Sequence, residues 1–96
     1  MVHYVYLVEC SDDRSTFYVG YTSDLERRLA EHNAGEGAKY TRGRTPVTAR
    51  YVECWPSKSD AMSREYELKQ RSRREKERLV PDSPDRTRII LDPNEQ

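Results

Sequence analysis

The sequence predicts an α+β fold: a small three-stranded, antiparallel-rich sheet flanked by helices, in the order β-β-α-β-α-α. Three observations predict it. Three runs of β-rich, alternating residues (3–10, 16–21 and 47–55) are each bounded by turn chemistry. Serines stand at the starts of three helical stretches. The 96 residues are 34% hydrophobic and 35% charged, a thin core that a sheet faced by helices uses best.

Residues 3–10 (HYVYLVEC) put Tyr4, Tyr6 and Val8 on one face and Val5, Leu7 and Glu9 on the other. Ser11-Asp12-Asp13-Arg14-Ser15 has hairpin-turn chemistry, and 16–21 (TFYVGY) reads as the returning strand. Gly20 inside it marks a point where a backbone, side chain or ligand approaches closely. Ser23-Asp24-Leu25-Glu26 reads as a capping box with Ser23 at the cap. It opens a helix to about residue 34 that is stopped by Gly35. Leu25 and Leu29 lie one turn apart on that helix, as do Arg28 and His32. These pairs form adjacent stripes, one facing the core and one bordering it. Residues 35–46 form a glycine-punctuated basic loop, 47–55 a third strand, and Pro56 ends it. Ser57-Lys58-Ser59-Asp60 starts a second helix to about residue 71. Ser72-Arg73-Arg74-Glu75 is another capping box, opening a short helix over 73–80. The folded domain is thus 1–80. Residues 81–96 read as an acidic, mobile tail, with Ile89-Ile90-Leu91 as the stretch able to dock.

Ninety-six residues make one domain, burying about 60–65% of the surface its unfolded chain exposes. No apolar run approaches the roughly 18–20 residues of a membrane span. The first ten residues lack a basic stretch followed by a long apolar one, so no signal peptide is expected. A soluble, cytoplasmic protein with no membrane partner is the default. Cys10 and Cys54 read as small buried hydrophobes in a reducing compartment. With His3 and His32 they show no zinc-site spacing. Net charge is zero, from 17 basic and 17 acidic residues, which argues against binding by bulk charge. The charges are nonetheless segregated. Lys39, Arg42, Arg44 and Arg50 form one basic stretch, Lys69 to Arg78 a second, and acids gather near Asp12 and in the tail.

Tyrosines at 6 and 18, Arg28 one helical turn before His32, and Glu65 on a later helix provide phenol, guanidinium, imidazole and carboxylate. Those groups suffice to hydrolyse a phosphodiester with one metal ion. The order of these residues resembles the GIY-YIG nuclease superfamily, as a small stand-alone single-domain member. Val5-Tyr6-Leu7 stands for the first half-motif, with its tyrosine moved by one, and Tyr18-Val19-Gly20 for the second. Residues 22–29, His32-Asn33 and Glu65 follow in the family's order, and the resemblance covers about residues 4–80.

The resemblance implies a metal-dependent endonuclease that cleaves DNA by in-line attack of water, in repair or recombination. Glu65 would ligate one divalent ion, Mg²⁺ or Mn²⁺. Arg28 would clamp phosphoryl oxygens, a role suited to its planar fork, and is preferred to adjacent Arg27 by its spacing to His32. Tyr6 would serve as general base or position the water, with Tyr18 and His32 orienting the nucleophile or sharing the proton. A phenol of pKa about 10 needs a cation nearby to do this. Lys39, Tyr40, Arg42 and Arg44 would contact nucleic acid, with Lys69 and Arg73 extending the track. RNA is not excluded as substrate. Two other readings stand beside this one: a nucleic-acid-binding module with little cleavage, and a subunit whose protein partner supplies specificity.

Overall fold

A computed structural model of the chain describes residues 1–11, 16–36, 46–83 and 86–93. The two β-rich runs of the hairpin become β1 (His3–Cys10) and β2 (Phe17–Thr22), paired antiparallel with Tyr6 opposite Gly20. β3 (Val47–Trp55) pairs antiparallel on the other side of β1. β1 is therefore interior, and Val5, Tyr6, Leu7 and Val8 are all buried. The sheet has four strands among the described residues, in the order β2-β1-β3-β4, against the three expected. The extra one, β4 (Arg88–Ile90), comes from the segment read as tail and pairs parallel with β3.

Arg50 ties this segment down. Its guanidinium donates to the carbonyls of Pro81 (2.9 Å), Ser83 (3.2 Å) and Arg86 (3.2 Å), and it pairs with Glu9. Thr87 adds a hydroxyl bond to the Ala49 carbonyl at 2.6 Å. Arg50 thus leaves the basic stretch in which the sequence placed it and becomes a buried clamp. It is also the residue skipped by the pairing, since Leu7 faces Tyr51 while Val8 faces Ala49. One extra residue reverses the facing of everything beyond it. Val47 and Ala49 pack with Tyr6 and Val8, whereas Tyr51 and Trp55 pack with Val5 and Leu7 on the opposite face.

Helices cover both faces. α1 (Leu25–Asn33) lays Leu25 and Leu29 against the Tyr6–Val8 layer. Its cap is Asp24 rather than Ser23: Asp24 Oδ1 accepts from the Arg27 amide at 3.2 Å, and the Thr22 hydroxyl accepts from the Asp24 amide. A carboxylate one residue nearer the first turn takes the capping role and also favours the positive helix end. Ala34 closes α1, and Gly35 follows at φ 79. Asn33 then fastens the helix end to β3, accepting from the Val47 amide at 2.7 Å and donating back to its carbonyl.

α2 (Lys58–Lys69), capped by Ser57, buries Ala61 and Leu68 against Val5, Leu7, Val19 and Tyr51. α3 (Arg73–Glu77) starts in the expected Ser72–Glu75 capping box, with both bonds formed, and is shorter than the 73–80 read from sequence. Leu79 and Val80 still pack on the α2 face. Cys10 and Cys54 are not joined in a disulfide. No helix among the described residues is long and apolar enough to cross a membrane.

Candidate active site

Side chains from β1, β2, α1 and α2 meet around the Tyr6–His32 pair. Tyr6 lies on interior strand β1, and its ring occupies the place where Gly20 on β2 has no side chain. A Cβ at Gly20 would fall on the Tyr6 hydroxyl and 2.5 Å from its Cζ. This is the close approach that a glycine in mid-strand forecast. The hydroxyl then reaches His32 Nε2 at 2.9 Å. Tyr6 is 1% exposed and His32 fully buried. His32 also meets the rings of Tyr6 and Tyr18 edge-on, at 5.9 and 5.6 Å between centroids.

Electrostatics sort the protons. Burial pushes the Tyr6 phenol up to about 12, and a hydrogen bond from Arg28 only partly opposes this. Burial, helped by the nearby Arg28 charge, holds His32 below its ordinary 6.5, with Glu31 opposing. At neutral pH the pair is therefore phenol and neutral imidazole. Arg28 donates to the phenol oxygen, and the same oxygen shares a hydrogen bond with His32 Nε2 whose direction follows the imidazole tautomer. Of the two roles expected for Tyr6, general base or water-positioning group, its burial and raised pKa weigh against the first. Tyr18 is the half-buried phenol of the two.

Arg28 is half-buried beside Tyr6, and the hydrogen bond with Tyr6 is the main reason its charge is favoured further. It also donates to Glu31 at 3.3 Å. Arg27, 76% exposed, pairs only loosely with Glu31 at 3.7 Å. The i, i+4 spacing of Arg28 and His32 thus puts both on the side of α1 that faces the tyrosines.

Glu65 approaches from α2, close enough for its charge to oppose ionisation of Tyr6. Lys69 stands one turn on, 3.5 Å from Glu65 Oε2 and 5.8 Å from the Tyr18 ring centre. Arg73 lies 4.9 Å over the Phe17 ring and pairs with Glu77 at 2.8 Å. Lys69 is thus at the site, while Arg73 is beside it and engaged. The expected contacts at Lys39, Tyr40, Arg42 and Arg44 lie outside the described residues.

Glu65 offers a hard carboxylate oxygen of the kind Mg²⁺ takes, and Lys69 already sets a positive charge against it. No three His, Cys, Asp or Glu side chains gather to hold a metal among the described residues. The donor set fits an ion that uses one protein carboxylate and draws its other oxygens from water and phosphate.

Sequence reasoning missed a second polar cluster across α2 from Glu65. Glu53, 1% exposed, accepts from Tyr51 Oη (2.5 Å), Trp55 Nε1 (2.9 Å) and Arg64. Arg64 Nε lies 3.0 Å from both carboxylate oxygens and its Nη2 is 2.9 Å from Oε2. Burial works against the Arg64 charge, but the bonds and charge of Glu53 outweigh it and hold the guanidinium above its ordinary range. A carboxylate between two aromatic strand residues was the available signal.

Residues 2–78 match the GIY-YIG catalytic domain. The chain is similar to a UPF0213 protein of Halobacterium salinarum, 64% identical over 78 residues, or 81% of this chain and 99% of that one. It is also similar to a UPF0213 protein of Staphylococcus haemolyticus, 53% identical over 81% of this chain and 93% of that protein. The solution NMR structure of a UPF0213 protein from Bacillus halodurans superposes with a TM-score of 0.52 at 51% identity, covering 82% of both chains. A second NMR structure, of an E. faecalis protein, gives 0.56 at 41% identity over 81% of both.

Proposed function

The chain belongs to the GIY-YIG catalytic-domain family, which implies nuclease-type activity, and from that premise we propose that it is a metal-dependent endonuclease acting on DNA. The observation that carries the proposal is the convergence of Tyr6, Tyr18, Arg28, His32 and Glu65, from four separate elements, around one buried hydrogen bond.

In this reading Arg28 binds the non-bridging phosphate oxygens and stabilises the charge that builds on them, a role worth about 10²–10³ in rate. Tyr18, the half-buried phenol, orients the attacking water through its hydroxyl. Tyr6 and His32 work underneath: their bond fixes the imidazole that Tyr18 meets edge-on, and it fixes the Tyr6 oxygen to which Arg28 donates. Glu65 would hold the divalent ion, which when bound polarises the phosphate and stabilises the leaving oxygen. Lys69, the exposed partner of a loose 3.5 Å pairing with the half-buried Glu65, can turn its ammonium to a phosphate.

A second reading, a nucleic-acid-binding module that scarcely cuts, is favoured by the burial of Tyr6 and its high pKa. One experiment separates the two. Labelled single-stranded, duplex, flap and branched DNA is incubated with Mg²⁺ or Mn²⁺ and either wild type or Glu65→Gln. The nuclease reading expects metal-dependent cutting that vanishes in the variant while binding persists. Cutting by the variant at the wild-type rate would overturn the metal assignment. Salt-sensitive binding with no cutting by either protein would establish the binding module.

A further inference from the structure

α2 is held on the sheet largely by apolar packing. Its fully buried side chains are Ala61 and Leu68, one of them a single methyl group. Apolar contacts of this size are non-directional and let a helix roll or slide. Glu65 needs the opposite. A carboxylate tip lies about 6 Å from a helix axis, so a roll of roughly 20° moves it by about 2 Å. Functional groups have to be held within about 0.5 Å and 10–20° of their working geometry.

The directional restraint on α2 sits next to Glu65 in sequence. Arg64 and Glu65 differ by about 100° around the helix. Arg64 therefore reaches back to β3 while Glu65 reaches toward Tyr18 and Tyr6 on β2 and β1. Arg64 engages both oxygens of Glu53 through Nε, and Nη2 reinforces Oε2. Glu53 is itself immobilised by the Tyr51 hydroxyl and the Trp55 indole. Arg64 Nη1 also donates to Glu67 at 2.8 Å, and Arg71 meets the same Glu67 oxygen at 2.9 Å, so the restraint runs down to the helix end. A planar fork on a fixed carboxylate sets both rotation and axial position, which a point charge does not.

We propose that the buried Glu53–Arg64 fork is the positioning device for Glu65, setting the roll of α2 so that the neighbouring carboxylate is presented to the divalent ion and the scissile phosphate. The proposal rests on the nuclease reading. Neither Glu53 nor Arg64 touches substrate. They act through the helix.

Two variants test it. Arg64→Lys keeps the charge and loses the fork. Glu53→Gln/Arg64→Met removes both charges and the fork while keeping an acceptor for the Tyr51 hydroxyl and the Trp55 indole, so that no buried donor is orphaned. Thermal melts and DNA affinity are measured first, to show folded, binding-competent protein. The metal dependence of single-turnover cutting is then read with Mn²⁺-induced broadening of the Glu65 amide NMR signal in the protein alone. The expected result is at least a fivefold rise in the Mg²⁺ concentration for half-maximal rate. Glu65 broadening should weaken at a given Mn²⁺ concentration, while DNA affinity stays within twofold. A merely structural pair would lower the melting temperature and the active fraction without moving either metal midpoint, and that outcome overturns the proposal. Failure of the underlying nuclease reading looks different. In that case wild type broadens at Glu65 but does not cut, and the broadening alone judges the fork: weakened in both variants it stands, unchanged it falls.

Discussion

Gly20→Ala is the smallest change that should disable the centre of this fold. The added methyl group would overlap the Tyr6 hydroxyl and come within 2.5 Å of Cζ and 3.0 Å of Cε1. Carbon pairs prefer about 3.5–4.0 Å, so the phenol has to retreat by roughly 1 Å. Tyr6 is a buried side chain on an interior strand and has no room to do so. Overpacking of this kind costs about 1–3 kcal/mol. Pulling the phenol from His32 Nε2 adds about 1 kcal/mol for the lost hydrogen bond. The sum, about 2–4 kcal/mol, is a large part of a small domain's stability. At about 4–8 °C per kcal/mol for a domain of this size, the melting temperature should fall by roughly 10–30 °C. The assay is thermal unfolding followed by circular dichroism, repeated in a Tyr6→Leu background, where the atoms that the methyl group strikes are gone. There the same substitution should cost under about 1 kcal/mol. A Gly20→Ala protein that melts within about 3 °C of wild type, or an equal cost in both backgrounds, would refute the reasoning.

Four further outcomes are expected. Because His32 is held below 6.5, the unfolded chain binds a proton that the folded one refuses, so this stability is present above pH 6.5 and drains away below it. Melts across pH should show that acid limb flattened in His32→Gln, and an unchanged limb counts against a neutral buried imidazole. The phenols behave in the opposite sense. Tyr6 and Tyr51, raised to about 12 chiefly by burial, contribute stability below pH 10.0 that is lost as pH climbs from there toward 12. Tyr6→Phe should shift that limb measurably upward in pH. In single-turnover cleavage, Arg28→Ala should lose at least tenfold more rate than Arg27→Ala, and Tyr18→Phe more than Tyr6→Phe; equal losses within either pair would reassign the roles. Arg50→Met should cost about 1–3 kcal/mol by stripping donors from Glu9 and three carbonyls. Trypsin should then cut at Arg86 and Arg88 well before the rest of the domain, and a wild-type digestion pattern would argue against the clamp.

What was legible in the sequence followed from local signals. Alternation gave β1, β2 and β3, serine caps gave the starts of α2 and α3, and the glycine in TFYVGY foretold the Tyr6 contact. The capping of α1 was misjudged by one residue because Ser23 and Asp24 are both good caps, and the choice depends on how Thr22 closes the turn. β4 was hidden because three residues pairing parallel with a distant strand leave no periodic trace. Glu53 and Arg50 were illegible for a shared reason. The bulge at Arg50 reverses the alternation of β3, so simple period-two counting assigns Tyr51 and Glu53 to the face of Val47. Among the site residues, the Arg28–His32 spacing and Glu65 were readable in order. That Tyr6 would be sealed inside the protein depended on β1 being an interior strand, a property of topology.

The Gly20–Tyr6–His32 stack has a consequence for mutational screening. Three consecutive members of the site are also part of the hydrophobic interior, so selection cannot vary the chemistry there without varying how much protein survives in the cell. In a screen that scores abundance and cleavage separately, substitutions at 6, 20 and 32 should fall along the diagonal, losing both together. Glu65 lies outside both apolar clusters, so its conservative variants should sit off that diagonal, abundant and silent. The distance of each position from the diagonal would then measure how far its role is chemical rather than architectural.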